Sequence, residues 1–198
     1  IQSDAGSRRF PADEKTISFD YLVSAIGSET QFFDTPGARE HAYRLKELQH
    51  AKALKNALIQ NFERAERAES ESKIRELLSI VVVGGGPTGV TLAAKIADLL
   101  DNELSQAFPK LSEYADVTIL EAGETVAKRA GPWFSHQVTN ALQEKPKVKI
   151  KTNCCVNEVH PDGVSFGDDE KLSSECVIWT AGVKARELEF ANTQAVNI

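Results

Sequence analysis

The feature that most constrains this chain is a run of aliphatic residues broken by glycines. Leu77-Leu78-Ser79-Ile80-Val81-Val82-Val83 leads directly into Gly84-Gly85-Gly86-Pro87-Thr88-Gly89. The first run is too short for a helix and rich in β-branched residues, so it reads as a strand buried on both faces. A helical pattern then runs from Pro87 to about Leu100. Gly84, Gly86 and Gly89 satisfy G-x-G-x-x-G in the strand–turn–helix context that the motif requires. Gly84 allows the tight turn out of the strand. Gly86 leaves the backbone bare to a pyrophosphate, and Gly89 lets helix and strand pack closely. Pro87 suits a first helical turn, where its missing N–H costs little. The free N–H groups of that turn attract an anion, and Gly85 and Thr88 complete the loop, Thr88 with a hydroxyl.

A dinucleotide-binding loop needs an acid at the end of the next strand. Glu121 ends Val117-Thr118-Ile119-Leu120 and precedes Ala122-Gly123. The separation from Gly84 exceeds the usual ~20 residues. An insertion at Asp98–Ala115, polar and helical in pattern, accounts for the excess. Glu121 is placed to accept hydrogen bonds from the adenosine ribose and to repel a 2′-phosphate. This points to NAD(H), NADH over NADPH, although Lys128 and Arg129 are near enough in sequence to meet a phosphate.

The rest of the chain fits an α/β class with a parallel sheet and a small antiparallel part. Residues 1–15 are polar and irregular, and Ile17–Gly27 reads as a buried strand. Asp34-Thr35-Pro36-Gly37 is a turn. From about Glu40 to Ala68 the spacing of Leu45, Leu48, Leu54, Leu58 and Phe62, with no Gly or Pro, predicts one long amphipathic helix. Trp133 to Gln143 reads as a helix, and residues 147–180 as short strands ending at Cys176–Trp179.

Composition excludes several classes. The net charge of −6 and the Glu and Gln interleaved among the basic residues argue against nucleic acid. No apolar run reaches the ~18 residues of a membrane span. The chain opens at Ile1 and has no Met, so it reads as a piece of something longer, soluble by itself. Cys154, Cys155 and Cys176 have neither redox nor zinc spacing and read as reduced, half-buried strand residues. His41, His50, His136 and His160 are scattered, surface or satisfied side chains rather than metal ligands. Trp133 and Trp179 read as core residues.

Five segments together resemble the type II NADH dehydrogenases, the alternative NADH:quinone oxidoreductases of the pyridine nucleotide-disulfide oxidoreductase superfamily. They are Phe19–Ser28, Pro36-Gly37 with Glu40–Lys46, Phe62–Ala65, Val81–Val90, and Trp179–Val183. The resemblance implies a Rossmann-like NAD(P)-binding domain inserted in an incomplete FAD-binding domain. Residues 1–35 would be a remnant of the FAD domain and its connecting strand, 36–183 the NADH domain, and 184–198 the return segment. Ala25 and Gly27 would lie close to FAD, and Ala181 and Gly182 near the nicotinamide. The implied reaction passes a hydride from NADH to flavin and two electrons on to a quinone. The flavin carries that chemistry, so no side chain here is required as acid or base.

The resemblance also places a first FAD-binding glycine loop before Ile1, and further FAD contacts and a membrane-docking region after Ile198. This piece alone would be inactive. The whole protein would sit on the cytoplasmic membrane face or the mitochondrial inner membrane, and a homodimer is left open. One departure stands out. The family usually reads Gly-Val-Glu after the loop, where this chain has Gly89-Val90-Thr91, and Lys95 stands where a Glu is common. The change bears on quinone reduction rather than on NAD binding. Two alternatives stay open: a sensor or structural module that binds NAD(H) without turnover, and another flavoprotein reductase of the same two-dinucleotide fold.

Overall fold

A computed structural model describes residues 18–187. In chain order its elements are β1 (Ser28–Thr30), α1 (Ala38–His41), β2 (Tyr43–Arg44), α2 (Leu48–Ala65), α3 (Glu71–Leu78), β3 (Ser79–Val83), α4 (Pro87–Leu99), α5 (Ser105–Ala107), β4 (Asp116–Leu120), α6 (Pro132–Gln143), β5 (Val148–Lys151), β6 (Val156–His160), β7 (Gly163–Phe166), β8 (Glu170–Ser173), β9 (Cys176–Trp179) and β10 (Val183–Ala185). The central sheet has the order β2-β9-β3-β4-β5, and every neighbouring pair is parallel. β6, β7 and β8 form an antiparallel meander, and β1 pairs with β10 in a separate two-stranded ribbon.

Alternation along the central strands divides the core. Ile80, Val82, Val117, Ile119, Cys176 and Ile178 face a helical layer carrying Leu58 and Phe62 of α2, Ala93 and Ile96 of α4, and Leu142 of α6. Val81, Val83, Leu120, Val177 and Trp179 face the meander, meeting Val159, Val164 and Phe166. The sheet is thus covered on both sides, as parallel sheets require. Each fully buried Ile or Val contributes about 1.5–3 kcal/mol. The exposed edge strand β5 is guarded by lysines: Lys149 pairs with Asp116 and Lys151 with Glu170.

The element boundaries depart from expectation at three places along the helical layer. The stretch from Glu40 to Ala68 is not one helix. It is α1, the edge strand β2 beside β9, and then α2. The breaks are made by side chains rather than by Gly or Pro. Glu47 and His50 form a reciprocal capping box that starts α2, and the Ser70 hydroxyl accepts from Lys73 N–H to start α3. Leu77 and Leu78 accordingly end α3 instead of opening β3. The segment 98–115 is not merely polar. It forms a π-helical turn at Leu100–Leu104, α5 and a 3₁₀ turn at Ser112–Tyr114, burying Leu100, Leu104 and Leu111, while Phe108 meets Phe62 with ring centroids 5.3 Å apart.

Phe19–Gly27 is not a buried strand. Its apolar side chains are exposed, Tyr21 at 94% and Val23 at 87%, and pairing begins only at Ser28. A strand exists only where a partner takes its N–H and C=O groups, and no described strand lies beside this segment. Ile17, residues 1–15 and the return segment past 187 lie outside the described residues.

Other side chains divide similarly. Trp179 is core, but Trp133 at the start of α6 is 74% exposed. All three cysteines are free, and only Cys176 lies on a strand, where burial pushes its thiol up to about 12. Cys154 and exposed Cys155 lie in the β5–β6 connection. His50 serves the α2 cap, and His160 meets the Ser165 hydroxyl at 2.9 Å. Among the described residues no helix is long and apolar enough to cross a membrane.

Candidate dinucleotide site

The predicted loop sits at the carboxyl ends of β3, β4 and β9, where the chain order of the parallel strands reverses. This is the position at which open α/β sheets bind ligands. Gly84 turns out of β3 with φ +101°, a conformation that side chains resist. Its N–H donates to the Leu120 carbonyl at 2.8 Å. A Cβ here would lie 2.6 Å from the Cα of Ala181, so β9's exit presses directly on the turn. Thr180 fastens that contact. Its hydroxyl donates to the Val83 and Gly84 carbonyls, each at 2.9 Å, and its N–H donates to Val83 at 2.8 Å.

Gly89 is required by closeness rather than by dihedral angle. A Cβ there would strike the Gly84 carbonyl and come within 2.8 Å of the Thr180 hydroxyl. Gly86 is different: a Cβ built on it meets nothing within 4 Å. Its φ of −72° and ψ of −178° suit any residue. The space above it opens at the N-terminus of α4, with Pro87 in the first turn. The first N–H groups of a helix have no intrahelical acceptor, and here the aligned peptide dipoles add positive potential. Thr88 is exposed on that turn.

Glu121 reaches the loop from the end of β4. One carboxylate oxygen accepts from Gly85 N–H at 2.6 Å and the other from Gly123 N–H at 2.8 Å. The negative charge is thereby fixed beside the loop, with lone pairs left over for further donors. The backbone around it is equally tied. Glu121 N–H donates to Lys151 and Cys154 N–H to Glu121, both at 2.9 Å. Ala122 lies exposed next to this carboxylate. Lys128 and Arg129 occupy an exposed 3₁₀ turn.

The structure therefore gathers Gly84, Gly85, Gly86, Pro87, Thr88, Gly89, Glu121, Ala122, Ala181 and Gly182. Gly182 is gripped by the β1 side of the chain: its carbonyl accepts from Gln31 N–H at 3.0 Å, and a Cβ would lie 2.6 Å from the Phe33 ring. Gly27 reaches the site only through the ribbon, its carbonyl accepting from Arg186 N–H at 3.1 Å, while Ala25 lies in the exposed segment before it. Sequence reasoning missed Thr180, the latch between two strands. It also missed Val126 and Ala127, which close the loop from behind: Ala127 N–H donates to the Gly85 carbonyl at 2.8 Å, and Val126 fills the space a Gly85 side chain would take. Nothing in their residue type signals these tasks, which arise from long-range contact.

Comparison with known proteins agrees with this geometry. The whole chain, residues 1–198, matches the family described as pyridine nucleotide-disulphide oxidoreductase. It is 34% identical over 194 residues to the mitochondrial external alternative NAD(P)H-ubiquinone oxidoreductase B4 of Arabidopsis thaliana, covering 93% of this chain and 33% of that protein. It is 29% identical over 180 residues to the B1 protein of that name from Solanum tuberosum, covering 86% and 30%. The chain thus spans about a third of the length of the curated relatives it matches. Among solved structures, NDH2 from Plasmodium falciparum in complex with NADH has a similar fold, with a TM-score of 0.76 and 23% identity over 79% of this chain and 33% of that one. A ferredoxin reductase from Rhodopseudomonas palustris shares the fold at a TM-score of 0.56 and 18% identity, over 79% and 33%. The chain belongs to the pyridine nucleotide-disulphide oxidoreductase family, and its resemblance to the type II NADH dehydrogenases within that family, drawn first from the sequence, stands.

Proposed function

We propose that this chain is the NADH-binding portion of an FAD-dependent dehydrogenase that takes a hydride from NADH and passes electrons to a quinone. The observation that carries the reading is the bare space over Gly86, backed by helix amides and flanked by a fixed carboxylate. A pyrophosphate rests there on Gly86, Thr88 and Gly89 amides. Glu121 holds the adenosine ribose. Because its carboxylate is tied at both oxygens, it cannot swing aside for a 2′-phosphate, which favours NADH over NADPH. The nicotinamide end extends toward Ala181 and Gly182.

Bound FAD would supply the hydride acceptor, with Ala25 and Gly27 the residues of this chain nearest to it. The chain holds one glycine loop of the dinucleotide type, so the remaining FAD contacts belong to other parts of the protein. The β1–β10 ribbon supports domain limits at residues 1–35, 36–183 and 184–198, since the chain enters and leaves the NADH unit along two paired strands. The exposed apolar side chains of Phe19–Ile26 support the same division: they offer a surface for the flavin unit to cover. The names of the relatives favour ubiquinone as acceptor and a mitochondrial setting.

The test is a titration of this chain with NADH. Micromolar binding is expected, and Gly86→Val should weaken it at least about tenfold, which is a loss of about 1.4 kcal/mol, with the melting curve nearly unchanged. Equal affinity in the two proteins would sink the reading. Turnover is tested on the whole protein with FAD and a soluble quinone by following NADH absorbance. NADH binding without oxidation by any acceptor would leave the sensor alternative, which exposed Thr91 and Lys95 on α4 would then explain.

A further inference from the structure

The β1–β10 ribbon is held at two places. Its base is fixed by main-chain contacts: Trp179 Nε1–H donates to the Gln31 carbonyl at 2.8 Å, and Gln31 N–H donates to Gly182 at 3.0 Å. Its far end, about 10 Å away at the rise of a three-residue strand, is held by two adjacent residues at the entry of α2. The Lys46 ammonium donates to the Ser28 hydroxyl at 2.7 Å, and the Arg186 guanidinium donates to the Glu47 carboxylate at 2.7 Å. One contact holds the start of β1 and the other the residue just past β10.

A single imidazole sets both anchors. His50 Nδ1 accepts from the backbone N–H groups of Lys46 at 3.3 Å and of Glu47 at 3.0 Å. Glu47 in turn accepts from the N–H of His50 through the capping box, and from Gln49 Nε2 at 2.9 Å. Opposite them, Glu29 and Lys184 pair across the ribbon at 3.1 Å, which stiffens it as a lever. Arg44 completes the lining of a small polar cavity, about 170 Å³, between ribbon and helix.

We propose that Lys46 and Glu47, oriented by His50, form a clasp that sets the angle at which the ribbon leaves the nucleotide-binding unit. Without it the ribbon pivots about Gln31 and Gly182. The inference rests on the proposed function for its consequence: the ribbon's angle fixes how far Ala181–Gly182, and the nicotinamide beside them, stand from the flavin. Lys46, Glu47, His50 and Arg186 are positioning residues and touch no reacting atom.

The experiment uses this chain with nitroxide labels on Ala185→Cys, at the far end of the ribbon, and Lys52→Cys on α2, in a Cys154→Ser/Cys155→Ser background, and reads their distance distribution by pulsed electron resonance. One narrow distance is expected for the otherwise native chain and for Arg186→Lys. Lys46→Ala/Arg186→Ala should lose it, and so should His50→Ala, in which both anchors survive but their backbone is released. An unchanged narrow distance in the double variant would overturn the clasp, whatever NADH does. A companion NADH titration should give the same affinity for native chain and double variant; a change in affinity would count against a purely positioning role. In the whole flavoprotein the double variant should slow hydride transfer about tenfold or more with NADH affinity kept. Failure of NADH to bind even the native chain would instead remove the functional reading while leaving the ribbon measurement intact.

Discussion

The glycine loop and the ribbon lie at opposite ends of the same short path through Thr180–Gly182, yet they are secured by different chemistry. The loop is held by buried backbone: Gly84 against Ala181, Gly89 against Gly84, and Thr180 bonded to both carbonyls at the turn. The ribbon's far end is held by long side chains that remain in water, Arg186 at 44% and Glu47 at 43% side-chain exposure. Backbone contacts of the first kind cannot be adjusted without moving a strand. Contacts of the second kind are individually weak, about 0–1 kcal/mol, and exchange with solvent and salt. On the proposed reading, the molecule is rigid where a ligand would meet peptide amides and held by solvent-exposed side chains where the unit would meet the rest of the protein.

The sharpest way to break this contrast is inside the loop itself. Gly89→Ala should cost about 3 kcal/mol or more in urea unfolding, because its methyl group would overlap the Gly84 carbonyl and only a shift of β3 against α4 could relieve it. Gly86→Ala, three residues earlier, should cost less than about 1 kcal/mol, the loss of a favourable cap residue. NADH affinity should fall in both, in Gly86→Ala without any change of fold. If the two substitutions proved equally destabilising, the rigid region would not be where the contacts place it.

How far the sequence revealed these two regions follows from the range of their contacts. The loop is a local pattern: Val81–Val83, the glycines and Pro87 lie within ten residues and announce strand, turn and helix together. Glu121 is legible because strand-end acids are part of that pattern. The breaks around Tyr43 were hidden because His50 and Glu47 make their cap through side-chain orientation, which helical spacing of leucines does not encode. The departure at Phe19–Gly27 has the opposite origin. Its apolar residues do favour a strand, but a strand requires a partner, and pairing in the described residues starts at Ser28. In the sequence Thr180 is only part of a motif end, since its bonds to Val83 and Gly84 span nearly a hundred residues.

That latch gives the next effect in size. Thr180→Val keeps the volume and removes the hydroxyl that donates to the Val83 and Gly84 carbonyls. A loss of about 1–2 kcal/mol in denaturant unfolding is expected, since Gly84 then loses a partner in a buried setting. NADH binding should weaken as well, because the same hydroxyl holds β9's exit against the turn. A variant with native stability would place the latch among ornamental contacts and make Ala181 alone responsible for the approach.

A smaller effect than that of the latch tests whether burial, rather than charge as such, separates the firm region from the adjustable one. Glu175, before β9, receives the Arg64 guanidinium at 3.0 Å and the Lys73 ammonium at 2.6 Å, joining α2 and α3 to the sheet with its side chain only 17% exposed. Burial alone would raise its carboxyl, but Arg64 and Lys73 together hold it below its ordinary value of 4.5. A carboxylate depressed in the folded state stabilises fully above its unfolded value, and that contribution is lost as the pH falls through the folded one. Glu175→Gln should therefore cost about 1 kcal/mol near neutrality, a figure kept small by the exposed cationic partners. The difference from the native chain should shrink as pH drops below 4.5. Urea unfolding of both proteins across that range measures it. Raised salt should reduce the Glu175 contribution less than it loosens the Arg186–Glu47 contact, because the carboxylate of the first is screened by protein and that of the second by solvent ions. Equal sensitivity to salt would erase the distinction between the two ion contacts and leave backbone packing as the sole source of rigidity around the site.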